Sequence, residues 1–215
     1  GSLYVAAPLG VGRRLIAPHV PEFLEKYPEI KLRLRLTDRK VDLTTEGLDL
    51  AFFLGQPKDS NLRIRKIADV ERVLCAAPSY IAARGNPSSG EELVSDIHEC
   101  LNLRFPGSTE FQWPLMTAVG SKRFAVTGRY ESDDGDVLTD WALTGNGIVL
   151  KPIFEVADHI TAGRLVPVAC DTPPEPIQMA CLFTHRKRQD PKTRLFMEFI
   201  IERISEVVRD STPKI

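Results

Sequence analysis

Apolar and polar positions alternate along Leu3, Val5 and Ala7, which predicts a first strand that runs into the turn Pro8-Leu9-Gly10-Val11-Gly12. Leu15, Ile16, Val20, Phe23, Leu24 and Tyr27 then fall on one helical face, closed by Pro28. Pro18 and Pro21 do not suit a helix interior, so the regular part is expected to begin near Pro18. Residues 31–36 alternate strictly, which predicts a strand with Leu32, Leu34 and Leu36 inward and Lys31, Arg33 and Arg35 in water. Thr37-Asp38 reads as a helix start and Gly47 as its stop. The unbroken apolar run 50–54 predicts a strand covered on both faces.

The same criteria predict strands at 63–67, 73–77, 101–105, 123–126, 147–150 and 165–168. Helices are expected at 78–84, 135–143, 152–161 and 191–209. The last is the best defined. Asp190 caps it, Pro191 takes the first helical position, and Leu195, Phe196, Phe199, Ile200, Ile204, Val207 and Val208 form one stripe. Strand and helix signals alternate from end to end, the pattern of an α/β fold. Residues 85–90 and 171–176 are the clearest punctuation, and neither is long enough for a flexible interdomain linker.

Composition narrows the function. With 43% hydrophobic and 27% charged residues, the chain is a globular protein rather than a disordered one. Lys and Arg total 28 against 29 Asp and Glu, a formal charge of −1. That balance lacks the basic excess by which nucleic-acid binders neutralise phosphates, so this part is not expected to grip DNA or RNA. No run reaches the ~18 apolar residues of a membrane helix, so no membrane partner is expected. The start has neither signal peptide nor Met and reads as a cut fragment or a mature product. Cys75, Cys100, Cys170 and Cys181 lack CxxC spacing and read as reduced thiols of a cytoplasmic protein.

Catalytic motifs are missing. Gly10-Val11-Gly12 follows a strand, but Leu15 stands where a dinucleotide fingerprint needs its third glycine, and Gly145-Asn146-Gly147 precedes a strand. Both read as tight turns. His19, His98, His159 and His185 have no ligand-spaced partner, so neither metal nor cofactor is expected. Asp133, Asp134 and Asp136 could form a carboxylate cluster, yet their place before a helix favours capping its free N–H groups. Four strand-to-helix junctions remain, at 8–12, 37–40, 132–137 and 151–154. In an open α/β sheet such junctions hold small ligands beyond the strand ends.

The segments Tyr4-Val5-Ala6-Ala7-Pro8, Gly12-Arg13-Arg14-Leu15-Ile16-Ala17-Pro18, Leu36-Thr37-Asp38-Arg39 and Glu46-Gly47-Leu48-Asp49-Leu50-Ala51 resemble the effector-binding domain of LysR-type transcriptional regulators. The resemblance continues through Arg72-Val73-Leu74-Cys75-Ala76-Ala77-Pro78, Gly145-Asn146-Gly147-Ile148 and Gly163-Arg164-Leu165-Val166-Pro167. It implies a type 2 periplasmic-binding-protein-like fold, with two α/β lobes joined by two crossover segments. The lobes would be residues 1–72 with 171–215, and residues 73–170. A winged helix-turn-helix DNA-binding domain would precede them in the full-length regulator.

By the same resemblance, a small-molecule effector, such as a small organic acid or an aromatic compound, lies between the lobes. Leu9, Gly10, Val11, Thr37, Phe53 and Leu54 would contact it from the first lobe, and Phe105, Asp134 and Lys151 from the second. Gly10 stands where many members have Ser, and Phe53 where a polar or basic side chain is common. Lys151 replaces a usual apolar residue and reads either as an effector cation or as a solvated strand-end lysine. The redox cysteine pair of the family's peroxide sensors is unmatched, so the cysteines read as small core residues. The family dimerises side by side, the first helix against the helix near 136–143 of a partner, and often assembles into tetramers. The alternatives are a periplasmic solute-binding protein of the same fold, or an enzyme for which only Asp134 and Lys151 are candidates.

Overall fold

The computed structural model describes residues 1–55, 62–104, 112–188 and 190–211. Strand β1 (Ser2–Ala7) leads into α1 (Leu9–Val11), a π turn over Gly12–Ile16, a 3-10 turn over Ala17–His19 and then α2 (Val20–Lys26). The regular helix therefore starts just after Pro18, and Pro21 sits in its first turn, where a missing N–H costs no bond. Gly10-Val11-Gly12 is accordingly a helix start rather than a tight turn. A Cβ on Gly12 would lie 2.0 Å from Leu36 Cδ2, so the glycine permits the close approach of this turn to β2 (Lys31–Leu36).

No helix occupies the stretch after Thr37, contrary to expectation. Local bonds win instead. Asp42 Oδ1 accepts from Thr44 N and Thr45 N, and Glu46 Oε2 accepts from Asp42 N. Gly47 then turns the chain with φ +67°, which sends Leu48 and Leu50 into the core. Strands β3 (Leu50–Gly55) and β4 (Arg63–Val70) complete this first passage.

The chain then crosses into a second unit, Glu71–Pro176. Its elements are β5 (Arg72–Ala76), α3 (Pro78–Arg84), α4 (Gly90–Leu93), β6 (Asn102–Leu103), β7 (Gln112–Thr117) and β8 (Gly120–Ala125). These are followed by β9 (Glu131–Ser132), α5 (Gly135–Leu143), β10 (Val149–Pro152), α6 (Ile153–Thr161) and β11 (Val166–Pro167). Strand β5 is central, with β10 and β11 antiparallel on either side. Strand β6 pairs in parallel with β9, and Cys100 bridges in parallel to Ile148 just before β10. Strands β6, β9 and β10 thus end at one edge. Leu101, Leu138, Ala142, Val149 and Val156 pack the face under α5 and α6. Trp113, Leu115 and Phe124 of the β7–β8 hairpin cover the other. The β7 strand is not among those predicted, because Pro114 within it argues against a paired strand.

The chain returns to the first unit, Gly1–Val70 with Ile177–Ile215, through β12 (Ile177–Phe183), α7 (His185–Arg188) and α8 (Pro191–Ser211). Strand β12 follows the proline-rich 171–176 and is also not among the predicted strands. It inserts antiparallel between β3 and β4, giving the order β2-β1-β3-β12-β4. Leu32, Leu34 and Leu36 are only half-buried, because β2 is an edge strand. Helix α8 buries Phe196, Met197, Ile200, Ile204 and Val208, and Phe196 meets Phe23 of α2 edge-on at 5.0 Å. Among the described residues no helix is long and apolar enough to cross a membrane.

Candidate functional site

In the first lobe, β1 runs parallel to both β2 and β3, so all three strands end at one edge of the sheet. That topology gathers Leu9, Gly10 and Val11 after β1, Thr37 after β2, and Phe53 and Leu54 at the end of β3. Thr37 N donates to Ala7 O at 2.9 Å, which fixes the β2 exit against the β1 exit. Gly10 and Val11 are buried, while Leu9, Thr37, Phe53 and Leu54 are half-buried and keep accessible surface. The Phe53 ring lies over Gly55, whose φ of +143° and missing side chain leave room for it.

Asp38 completes this edge. Its Oδ1 accepts from Leu9 N at 3.0 Å, satisfying one of the free N–H groups at the helix start. The Thr37 hydroxyl oxygen accepts from Arg39 N at 3.1 Å. Asp38 was expected to start a helix of its own; it caps the preceding one instead. A capping residue type two positions after a strand is the only sequence signal for that role.

In the second lobe, Asp134 caps α5, with Oδ1 accepting from Asp136 N at 2.9 Å and its own N–H bonded to Ser132 Oγ at 3.1 Å. The capping role expected for this acidic stretch is what the structure shows. Lys151 is not a solvated strand-end lysine. Its side chain is 6% exposed, donates to Gly135 O at 3.0 Å and pairs with Glu155 at 3.3 Å. Glu155 lies four residues on, in the first turn of α6, and is itself only 8% exposed. The Lys151–Glu155 spacing was the signal for this pair. Asp134 and Lys151 are therefore brought together, whereas Phe105 lies outside the described residues.

Arg72 is a further polar anchor without a role in the sequence reading. Its Nε and Nη2 donate to Glu175 O at 3.0 and 2.7 Å, tying the start of β5 to the segment that precedes β12. Burial pushes this guanidinium below its ordinary range. All four cysteines are free thiols. Burial raises Cys75 and Cys100 to about 12 and also pushes Cys181 up, so these three are inert core residues. Cys170 departs from expectation: it is exposed, because it follows Ala169, whose φ of +52° turns the chain outward.

Comparison with known proteins agrees with this architecture. Residues 1–205 match the family model of the LysR substrate binding domain. The chain is 32% identical over 206 residues to the HTH-type transcriptional regulator DmlR of Escherichia coli K12, covering 96% of this chain and 66% of DmlR. It is similar in structure to the regulatory domain of CrgA, a LysR-type regulator from Neisseria meningitidis, with a TM-score of 0.81, 30% identity and 95% and 98% of the two chains covered. Full-length AphB, a Vibrio cholerae virulence activator, superimposes with a TM-score of 0.79 at 30% identity, over 94% of this chain and 68% of AphB. The chain thus spans about two thirds of the length of such regulators. Its family is one of regulator effector domains rather than enzymes. Two α/β lobes joined by crossover strands, with ligand-type turns at parallel strand ends and a family model running over residues 1–205, make this chain a member of the LysR substrate-binding domain family.

Proposed function

We propose that the chain is the ligand-sensing and oligomerisation part of a cytoplasmic LysR-type transcriptional regulator. Its effector is a small molecule, and the residues assigned to that effector are Leu9, Gly10, Val11, Thr37, Phe53 and Leu54 in the first lobe and Phe105, Asp134 and Lys151 in the second. The observation that carries this reading is the parallel β2-β1-β3 arrangement, which sets six of these residues at one sheet edge with four of them partly exposed. Lobe boundaries near residues 72 and 171 follow from the same reading. A winged helix-turn-helix in the remaining third of a regulator of this kind would contact DNA.

The effector acts by binding one arrangement of lobes or protomers better than another, and so shifts the spacing of the DNA-binding domains. Protomers pair side by side, the 13–26 helical segment against α5 of the partner, and pairs of dimers form the tetramer. The test is a thermal-shift screen of small acids, alcohols, amines and aromatics, followed by Gly10→Trp. A stabilising ligand that loses its effect in folded Gly10→Trp supports the site. A ligand whose effect survives that substitution, or solution scattering of the full-length regulator that is unchanged at saturating ligand, rejects the mechanism.

A further inference from the structure

The formal charge of −1 conceals an uneven distribution within the first unit. Strands β2 and β3 run parallel to β1, and β4 shares their direction because β12 lies antiparallel to both β3 and β4. All four strands therefore start at one edge of the sheet, away from Leu9, Thr37 and Phe53, and β12 ends at that same edge. Lys31 opens β2, Arg63 opens β4, and α7, with Arg186 and Lys187, follows the end of β12. Helix α8 starts there too, since a Cβ on Gly1 would lie 3.4 Å from Lys192 Cδ. Two acids of this edge are held by lysines: Asp49 pairs with Lys187 and Asp190 with Lys192, each at 2.5 Å. Lys31, Arg63, Arg186 and Arg194 are exposed and make no ion pair with another described residue. Glu25 and Lys26 at the end of α2 cancel each other, and exposed Glu29 offsets one of the four.

We propose that this edge holds the phosphate backbone of DNA, as a contact independent of base sequence and separate from the helix-turn-helix. It goes beyond the effector reading and rests only on the chain being part of a DNA-binding regulator. With five strands about 4.8 Å apart, Lys31 and Arg63 on the two outer strands lie about 19 Å from each other. One strand of a duplex carries a phosphate every ~3.4 Å of its axis, so about five phosphates match that width. Three of the four unmatched cations are arginines, whose planar fork donates two parallel hydrogen bonds to a phosphate. Near-neutrality of the whole chain excludes a uniformly basic surface but not a basic edge.

The test is fluorescence anisotropy of a labelled duplex of arbitrary sequence, about 20 base pairs long, titrated with the chain at about 20 to 150 mM salt. About three phosphate contacts give a slope of about −3 in log K against log salt, so affinity falls about a hundredfold over a roughly fivefold rise in salt. Arg186→Glu/Arg194→Glu should abolish this binding, and so should the strand-start pair Lys31→Glu/Arg63→Glu. The control pair Lys122→Glu/Arg209→Glu makes the same change in net charge at exposed positions elsewhere, and should cost less than about threefold. All six positions are exposed, so the variants should keep the parent's melting midpoint within a few degrees. The absence of saturable binding at the lowest salt overturns the proposal, as do equal losses in the edge and control pairs. Tighter binding of poly-glutamate than of DNA overturns it in favour of an acidic protein partner. None of these outcomes touches the effector reading, which the thermal-shift screen tests separately.

Discussion

Replacing Lys151 by methionine keeps most of the side-chain volume and removes the charge beneath α5 and α6. In the native protein the ammonium sits 3.0 Å from Gly135 O and 3.3 Å from Glu155, with both side chains more than nine-tenths buried. Removing one partner of a buried pair costs about 3–5 kcal/mol, because the other charge stays in a low-dielectric setting. Glu155 lies in the first turn of α6, where the helix dipole returns about 0.3–1 kcal/mol. The expected loss for Lys151→Met is therefore about 3 kcal/mol. For a chain of this length that lowers the melting midpoint by about 6–12 °C. Both tryptophans, Trp113 and Trp141, belong to the second unit, so fluorescence-detected urea unfolding reports on the lobe that carries the pair. The second substitution, Glu155→Gln, then discriminates. The double variant should be more stable than Lys151→Met alone, since a neutral amide needs no cation. A single variant within about 0.5 kcal/mol of the parent, or a double variant whose losses simply add, would refute the account of a desolvated, coupled pair.

Gly128→Ala should cost at least about 2–3 kcal/mol, or prevent the second lobe from folding, because its Cβ would lie 2.0 Å from the Cys100 carbonyl oxygen and no side chain can yield; urea midpoints decide it. A thiol reagent should modify only Cys170 quickly in the native protein and all four cysteines after denaturation, as burial holds the other three protonated. Fast labelling of a second native thiol would contradict the packing. His98 is buried, shares a hydrogen bond with Tyr80 Oη at 2.9 Å, and is held below its ordinary value of 6.5 chiefly by desolvation, with Glu92 opposing and Arg84 assisting. The unfolded chain therefore binds a proton at higher pH than the folded one, so this contribution is complete above about pH 6.5 and is lost as pH falls. His98→Asn should flatten that part of the stability–pH curve, and an unchanged slope would exclude His98 as its source. Asp134→Ala should cost about 1 kcal/mol through the lost α5 cap, most of which Asp134→Asn should restore.

Elements held by local signals were legible in the sequence. Helices at 78–84 and 135–143 fall where proline at the first turn, capping acids and apolar spacing put them, and β2 follows its strict alternation. The stretch after Thr37 misled because Thr, Asp and Gly serve a helix and an Asx-type turn equally well; only the bonds of Asp42 and Glu46 choose. The β7 strand was hidden by Pro114; β7 pairs with β8 on one side and bridges to Pro174 at Leu115 on the other, where Pro114 O accepts from Glu175 N at 3.0 Å. For the site, residue types sufficed to nominate the junctions, but not to say that Lys151 is spent on Glu155 and Gly135, or that Asp38 caps the helix before it.

The α/β class, the alternating elements and the family were readable from the residues alone, because hydrophobic period, caps and turn residues act over a few neighbours. The return of β12 across more than a hundred residues to lie between β3 and β4 emerges from the folded chain and from no local signal. Which of the polar strand-end residues are buried and already paired follows from the folded chain too. Strand order and desolvation depend on contacts between positions far apart in the chain, and no local pattern encodes them. Asp38 meeting Leu9, and Lys151 meeting Gly135, are settled in that way.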